Sequence, residues 1–280
     1  MKMAMHQKIP TQRNEREKLR DKGQFWTPDW VAEAMVAYVV QGAEVVYDPG
    51  VGKGAFYTAL QKVVPGKRFF GTDIDSEILE GAKGEDIFGR NATLEVRDFI
   101  LNPPRRCFKA IVANPPYIRH HRLSQEIKLQ FRKISFLNLG YTLDGRAGLH
   151  IYFLIQALSL LDKGGRLAFI MPADTCEGVF AKKLWNWISK KFRIDGVITF
   201  EHKATPFPGV DTNAIIFLIK NEKPQDKLKW IKCLAARSKG LFEFLSNDLV
   251  GNDYKDIDIY ERDLTEALSV GLSRMPRADY

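Results

Sequence analysis

With 280 residues, 45% of them hydrophobic, and a formal charge of +8, the chain can bury one large α/β core and keeps a basic surplus for its surface. It contains no apolar run of the roughly 18 residues that a membrane span needs, and its N-terminal MKMAMHQKIPTQRNEREKLR has no signal-peptide stretch, so a soluble cytoplasmic protein with no membrane partner is expected. Cys107, Cys176 and Cys233 are far apart and form no CxxC or Cys/His group, which argues against a disulfide framework or a zinc site and predicts no metal cofactor.

In chain order, residues 1–22 read as a polar arm. Thr27-Pro28-Asp29 then opens a helix, with threonine as the expected N-cap, proline in the first position and an acid in the first turn. Short apolar strands follow at 45–47, 68–72, 94–96, 110–113, 166–171, 195–200 and 214–219, with helices expected at 54–63, 76–83, 149–162 and 178–192. Such alternation predicts a mostly parallel seven-stranded sheet with helices on both faces. Lys163-Gly164-Gly165 is expected to close the helix over 149–162. Residues 118–148 have no clear period and read as a long insertion, and NEKPQDK after Lys220 reads as a linker where the strand pattern stops. The expected organisation is an arm over 1–22, a catalytic domain over 23–220 and a C-terminal extension over 221–280.

Chemistry-bearing residues fall at strand ends. The first four strands finish in Asp48, Asp73, Asp98 and Asn114, and in open α/β sheets the carboxyl ends of the strands line the ligand crevice. The turn D-P-G-V-G-K-G-A-F (48–56) carries Gly50, Gly52 and Ala55 in the loose dinucleotide pattern, with Asp73 about 20 residues on as a ribose ligand. That pattern admits NAD, FAD or S-adenosylmethionine. Asp48 ahead of the glycines suits a ligand with a positive end and favours S-adenosylmethionine.

The fourth strand runs into Asn114-Pro115-Pro116-Tyr117. The Asn114 side-chain oxygen and the Pro115 carbonyl can accept both hydrogens of a ring-conjugated amine, and Tyr117 can stack on its ring. Charge supports a polyanionic partner here: from Arg105 to Arg146, nine Lys/Arg stand against two acids, a net of +7. Residues 241–269 carry the reverse, eight acids against Lys255 and Arg262, a net of −6. His120-His121 reads as a loop or phosphate contact rather than a metal pair, and KKLWNWISKKF (182–192) as a helix with one buried indole.

Over residues 23–220 the chain resembles the adenine-specific N6 DNA methyltransferases of the gamma group. The resemblance rests on GQFWTP (23–28), DPGVGKGAF, GTDID, VRDF, NPPY and TPFPGVDTNAIIFLIK (205–220). It implies a Rossmann-like S-adenosylmethionine-dependent methyltransferase fold. It also implies a cofactor site of Thr27, Asp48, Gly50, Gly52, Asp73, Ile74, Asp98, Phe99 and Asn114, with catalysis by Asn114, Pro115, Pro116 and Tyr117. Tyr117 and Phe207 would sandwich a flipped adenine of DNA. Val51 stands where the family more often has cysteine or alanine. Residues 221–280 are short for the target-recognition domain usual in this group, so they read as its start or remnant. Sequence reading is then expected in a further domain, a specificity subunit or the 118–148 insertion. The expected setting is the modification part of a bacterial or archaeal restriction-modification system; the alternative is RNA adenine or protein glutamine methylation by the same NPPY chemistry.

Overall fold

The computed structural model describes residues 26–84, 87–118, 120–143, 145–173, 176, 180–208 and 213–264. The expected arm (1–22), residues 23–25 of GQFWTP, the start of the helix expected at 178 and residues 209–212 of the TPFPGVDTN segment lie outside the described residues. Helix α1 (Asp29–Val39) leads into β1 (Val45–Asp48), α2 (Ala55–Val63), β2 (Arg68–Asp73), α3 (Ser76–Gly84), β3 (Ala92–Val96) and β4 (Phe108–Ala113). Helices α4 (Gln125–Leu139) and α5 (Leu149–Ser159) precede β5 (Leu161–Pro172), α6 (Ala181–Lys191), β6 (Arg193–Phe200) and β7 (Ala214–Lys220). The chain then adds β8 (Lys227–Cys233), α7 (Lys239–Ser246) and β9 (Ile257–Asp263).

Among the described residues the strands form one sheet in the order β3-β2-β1-β4-β5-β7-β6-β8-β9. All pairings from β3 through β5 are parallel, β7 runs antiparallel to both β5 and β6, and β8 is parallel to β6. The central strands read as nearly unbroken apolar runs because both sheet faces are covered. In β7, Ile215, Phe217 and Ile219 point into one core, while Ala214, Ile216 and Leu218 point into the other. All seven expected strands are present.

Five local expectations are corrected. Thr27 does not cap α1: the N-cap is Pro28, without a side-chain hydrogen bond, because the Thr27 hydroxyl is engaged by Asn114 (3.1 Å). The helix expected over 149–162 ends at Ser159, and Leu161 already pairs with Phe108. Lys163-Gly164-Gly165 instead forms the irregular start of β5. A Cβ on Gly165 would lie 3.0 Å from the Phe108 carbonyl oxygen, so glycine lets the two backbones close.

Within 118–148 a 15-residue helix forms. Ser124 caps it by accepting from the Ile127 N–H, and Gly140, at φ +80°, ends it by donating to the Phe136 carbonyl. The sheet also continues past Lys220. In KLKWIKC, lysines at 227, 229 and 232 alternate with buried Leu228, Trp230, Ile231 and Cys233, a half-buried strand pattern. Strand β9, IDIYERD, pairs antiparallel with β8 at the sheet edge, and its charges discourage further pairing.

The C-terminal elements are bound into the rest of the fold. On α7, Leu241, Phe244 and Leu245 are fully buried in the core that α1 also enters. Arg166 of β5 donates to Asp248 (2.5 Å) and to the Tyr38 carbonyl (3.3 Å). Tyr38 in turn donates to Asp195 (2.8 Å), which also accepts from Arg193 (2.6 Å). Truncating Phe244 to Ala should therefore cost about 3–5 kcal/mol. Denaturant unfolding should show one transition shifted as a whole; an early partial transition that left the rest unshifted would mean that α7 is a separate unit.

Candidate active site

The sheet order converts sequence spacing into a row. Asp98 follows β3, Asp73 ends β2, Asp48 ends β1 and Asn114 follows β4, on four adjacent strands. With roughly 4.8 Å between neighbouring strands, the row spans about 14 Å. Asp98 is at one end and Asn114 at the other.

Each group is held by local backbone geometry. Asp98 Oδ1 accepts from the N–H groups of Ile100 (2.9 Å) and Leu101 (3.0 Å). Asp73 accepts from Gly52 N–H (2.8 Å) and Asp75 N–H (3.0 Å), and burial still pushes its carboxyl above the ordinary carboxylate value. The glycine turn is tied to β2 by the Val51 N–H donating to the Thr72 carbonyl (3.1 Å). Beneath it, Gly71 makes room for Val51: a Cβ there would meet the valine methyl at 2.2 Å. The Thr72 hydroxyl engages the Tyr47 hydroxyl (2.9 Å) under the same turn.

Asp48 is fully buried. Its Oδ1 accepts from Gly50 N–H (3.0 Å), and its Oδ2 has no hydrogen-bond partner. Desolvation, with Asp73 adding to it, raises the carboxyl to about 8 against the lowering effect of the Gly50 bond. At the far end, Asn114 Nδ2 donates to Thr27 Oγ1 (3.1 Å), which orients the amide at the mouth of β4.

A cavity of about 420 Å³ runs along this row, within the range of small-molecule sites. Of the expected cofactor residues, Gly50, Gly52, Asp73, Ile74, Asp98, Phe99 and Asn114 line it, as does Pro116. Ile74 and Leu101 present unusually exposed apolar side chains to it, at 69% and 54%. An orphaned carboxylate oxygen behind a glycine turn, carboxylates along the row and apolar plates on either side fit a ligand with a cationic end, a diol and a flat ring. That is the chemistry of S-adenosylmethionine.

Thr27 and Asp48 are buried and are not among the cavity's wall residues; Thr27 touches Asn114, and Asp48 reaches the glycine turn. Tyr117 and Phe207 are not wall residues either. Tyr117 packs against both cores with its ring edge toward His150 (6.0 Å), and Phe207 is 4% exposed within the second core. Burial raises the Tyr117 hydroxyl well above its ordinary value and pulls His150 down to about 4, so this imidazole is neutral at neutral pH.

The unanticipated part of the cavity is its apolar wall. Leu123, Ile127 and Phe131 come from the 118–148 segment, and Leu149 and Phe153 from α5. Their signal was the four-residue spacing 123-127-131-135-139, continued by buried Ser135 and Leu139. Trp26, with Lys53 Nζ 4.0 Å from its ring centroid, closes the cavity near the glycine turn. His120 and His121 form a 3-10 turn with rings at 86°. Among the described residues no group of three His, Cys, Asp or Glu side chains is placed to hold a metal.

The Asp48 environment makes a ligand-free prediction. Its carboxyl ionises near 3.8 when exposed and near 8 when folded, so between those values the folded chain holds the extra proton and its stability falls as pH rises. Asp48→Asn stays neutral and removes that loss. The melting-temperature advantage of the variant over the parent should therefore grow from pH 5 to 8 and level off above; a difference independent of pH would show that Asp48 is already ionised in the fold.

The profile of Eco57I restriction-modification methylases matches residues 67–207, half of the chain. The type II methyltransferase M.AccI of Acinetobacter calcoaceticus is 27% identical over 212 residues, covering 74% of this chain and 38% of its own length. M.XamI of Xanthomonas campestris pv. amaranthicola is 26% identical over 201 residues, covering 69% of this chain and 38% of its own. The chain thus spans about two-fifths of the length of these relatives. Among solved structures, the type I restriction-modification methyltransferase subunit from Streptococcus thermophilus superposes with a TM-score of 0.69 at 16% identity, over 91% of this chain and 60% of that one. The type IIG restriction endonuclease BpuSI gives 0.67 at 18% identity, over 87% and 31%. These likenesses show the fold, that of the class I S-adenosylmethionine-dependent methyltransferases, here with two strands beyond the expected seven. By its family match, the chain belongs to the Eco57I restriction-modification methylases.

Proposed function

We propose that this chain is the catalytic part of a DNA methyltransferase that moves a methyl group from S-adenosylmethionine to N6 of an adenine, in a restriction-modification system. The observation that carries the reading is the position of Asn114: at one end of the polar row, beside the cavity, its amide oriented by Thr27. Asp98 would take the adenine edge of the cofactor, Asp73 its ribose, and Ile74, Phe99 and Pro116 the faces of its ring. Thr27 and Asp48 would serve the methionine end, where an ammonium offsets the buried carboxylate. Bound there, the cofactor supplies an electrophilic methyl group on a sulfonium, itself a good leaving group.

The residues of the chain position the target amine. Because Asn114 Nδ2 donates to Thr27, the amide oxygen takes the acceptor role toward N6, and the Pro115 carbonyl takes the second hydrogen. With both N–H groups held, the nitrogen lone pair is aimed along the row. No strong base is required, since the amine proton acidifies as the new C–N bond forms and then leaves to water. The target base must quit the duplex to reach this end of the cavity. Tyr117 and Phe207 are the proposed walls that receive it, at about 1–3 kcal/mol of stacking per ring. Phe207 starts buried, so its ring has to move to meet the base. Reading of the target sequence is assigned to a further domain or subunit, consistent with the length of the relatives.

Tritiated methyl transfer to DNA, RNA and protein in parallel, followed by nucleoside analysis, tests the function. Label is expected as N6-methyladenine in DNA; label confined to RNA or protein would replace this reading with the alternative. Asn114→Ala should lower the transfer rate by about 10²–10³ with cofactor affinity within a few fold. Asp73→Ala should weaken cofactor binding first, as measured by calorimetry, and equal effects of the two variants on affinity would refute the division of roles. For the walls, Tyr117→Phe should be mild and Tyr117→Ala slow. Phe207→Ala should dim the 2-aminopurine signal of a flipped target, and an unchanged signal would remove Phe207 from the site.

A further inference from the structure

Helix α6 uses only one side for packing. Leu184, Trp185 and Ile188 are buried, and Trp185 stacks on Phe217 at 4.3 Å. On the other side Lys182, Lys183, Asn186, Lys190 and Lys191 are exposed, and residues 181–192 contain no acid. None of these four lysines takes part in an ion pair among the described residues, whereas Lys62, Lys220, Lys227 and Lys232 each do. Lys183, Asn186, Trp187, Lys190 and Lys191, together with Tyr141, line an open hollow of about 580 Å³. The Tyr141 hydroxyl donates to the Lys183 carbonyl (2.8 Å), which fixes the far wall. Trp187 is half-buried, edge-on to Phe192 at 5.6 Å, with Lys191 Nζ 5.4 Å from its ring centroid.

The helical spacing 183-186-187-190-191 places these groups on one stripe about 12 Å long. Like charges gathered with no counter-charge among the described residues repel one another, and a polyanion relieves that repulsion. The hollow also offers flat apolar rings between the ammonium groups. An acidic peptide would satisfy the lysines and leave the rings unused, whereas the DNA backbone alternates phosphates with the apolar faces of deoxyriboses and matches both.

We propose that this strip is a second DNA-contact surface, apart from the catalytic cavity: Lys183, Lys190 and Lys191 neutralise backbone phosphates, and Trp187 with Tyr141 packs on the sugar between them. The partner rests on the DNA reading above; the site itself does not overlap the catalytic one. Its contribution is affinity without sequence information, because phosphate contacts are the same at every site.

The test is fluorescence anisotropy with a labelled 30-base-pair duplex over a range of salt, using the full chain. Lys183→Ala/Lys190→Ala/Lys191→Ala should weaken binding by tenfold or more at low salt and flatten the log–log salt dependence by about two to three, as expected for three phosphates released. The matching Lys→Arg variant should restore both. Trp187→Leu, which keeps the apolar packing, should weaken binding without changing the slope. Polyglutamate should compete poorly. An unchanged slope in the triple variant overturns the strip even if the parent methylates DNA normally. If the parent transfers no methyl to DNA yet loses slope with the lysines, the methylation reading falls and the strip stands. Equal loss for polyglutamate, with Trp187→Leu silent, overturns it in favour of an acidic protein partner.

Discussion

Parallel pairing of β3, β2, β1 and β4 is the constraint from which the site follows. Parallel strands need crossovers, and each crossover returns the chain to the same end of the sheet. The residue after every strand in this set therefore faces one edge, and the four polar residues are drawn from 48 to 114 in the sequence into one line. The spatial order Asp98, Asp73, Asp48, Asn114 differs from the chain order. It runs from a carboxylate held on backbone N–H groups, through the glycine turn, to an amide held on a hydroxyl. Such a line has two chemically different ends, and the proposed reacting end is the one at β4.

Asp48 shows what the arrangement costs. A carboxylate in an apolar interior with a single N–H donor is destabilised, and the fold tolerates it because it can hold a proton near neutrality. The glycine turn above it is rigid for separate reasons. It is hydrogen-bonded to β2, packed through Val51 into the space left by Gly71, and undercut by the Tyr47–Thr72 pair. A stiff cradle around a buried carboxyl that only a nearby cation would favour in its ionised form suits a ligand with a cationic end.

The elements after Lys220 extend the same sheet and cover α1, with the Arg166–Asp248 and Tyr38–Asp195 contacts fastening the layers. They support the frame and contribute no described residue to the cavity wall. The wall comes instead from the segment after NPPY, where α4 presents Ile127 and Phe131 inward and keeps Arg132 and Lys133 toward solvent. A single insertion thus supplies apolar contact to the cavity and positive charge to the exterior.

The sequence by itself determined the seven strands, their α/β alternation and the four polar strand ends. These depend on local pattern: apolar runs, glycines and prolines at boundaries, and a polar residue where each run stops. NPPY and the glycine turn were legible for the same reason, since their chemistry resides in consecutive residues. The helix in 118–148 and strand β8 were also written locally, as a four-residue apolar period and as lysine–apolar alternation, but charge obscured both. Only the tertiary structure decided the rest. That Thr27 serves Asn114 rather than a helix end depends on two groups 87 residues apart meeting. That Phe207 rests in the core, and that Trp26, Ile127, Phe131 and Phe153 share one cavity with the acids, depends on which sheet faces the helices cover. Contacts of that kind arise from long-range packing, and no window of sequence contains both partners.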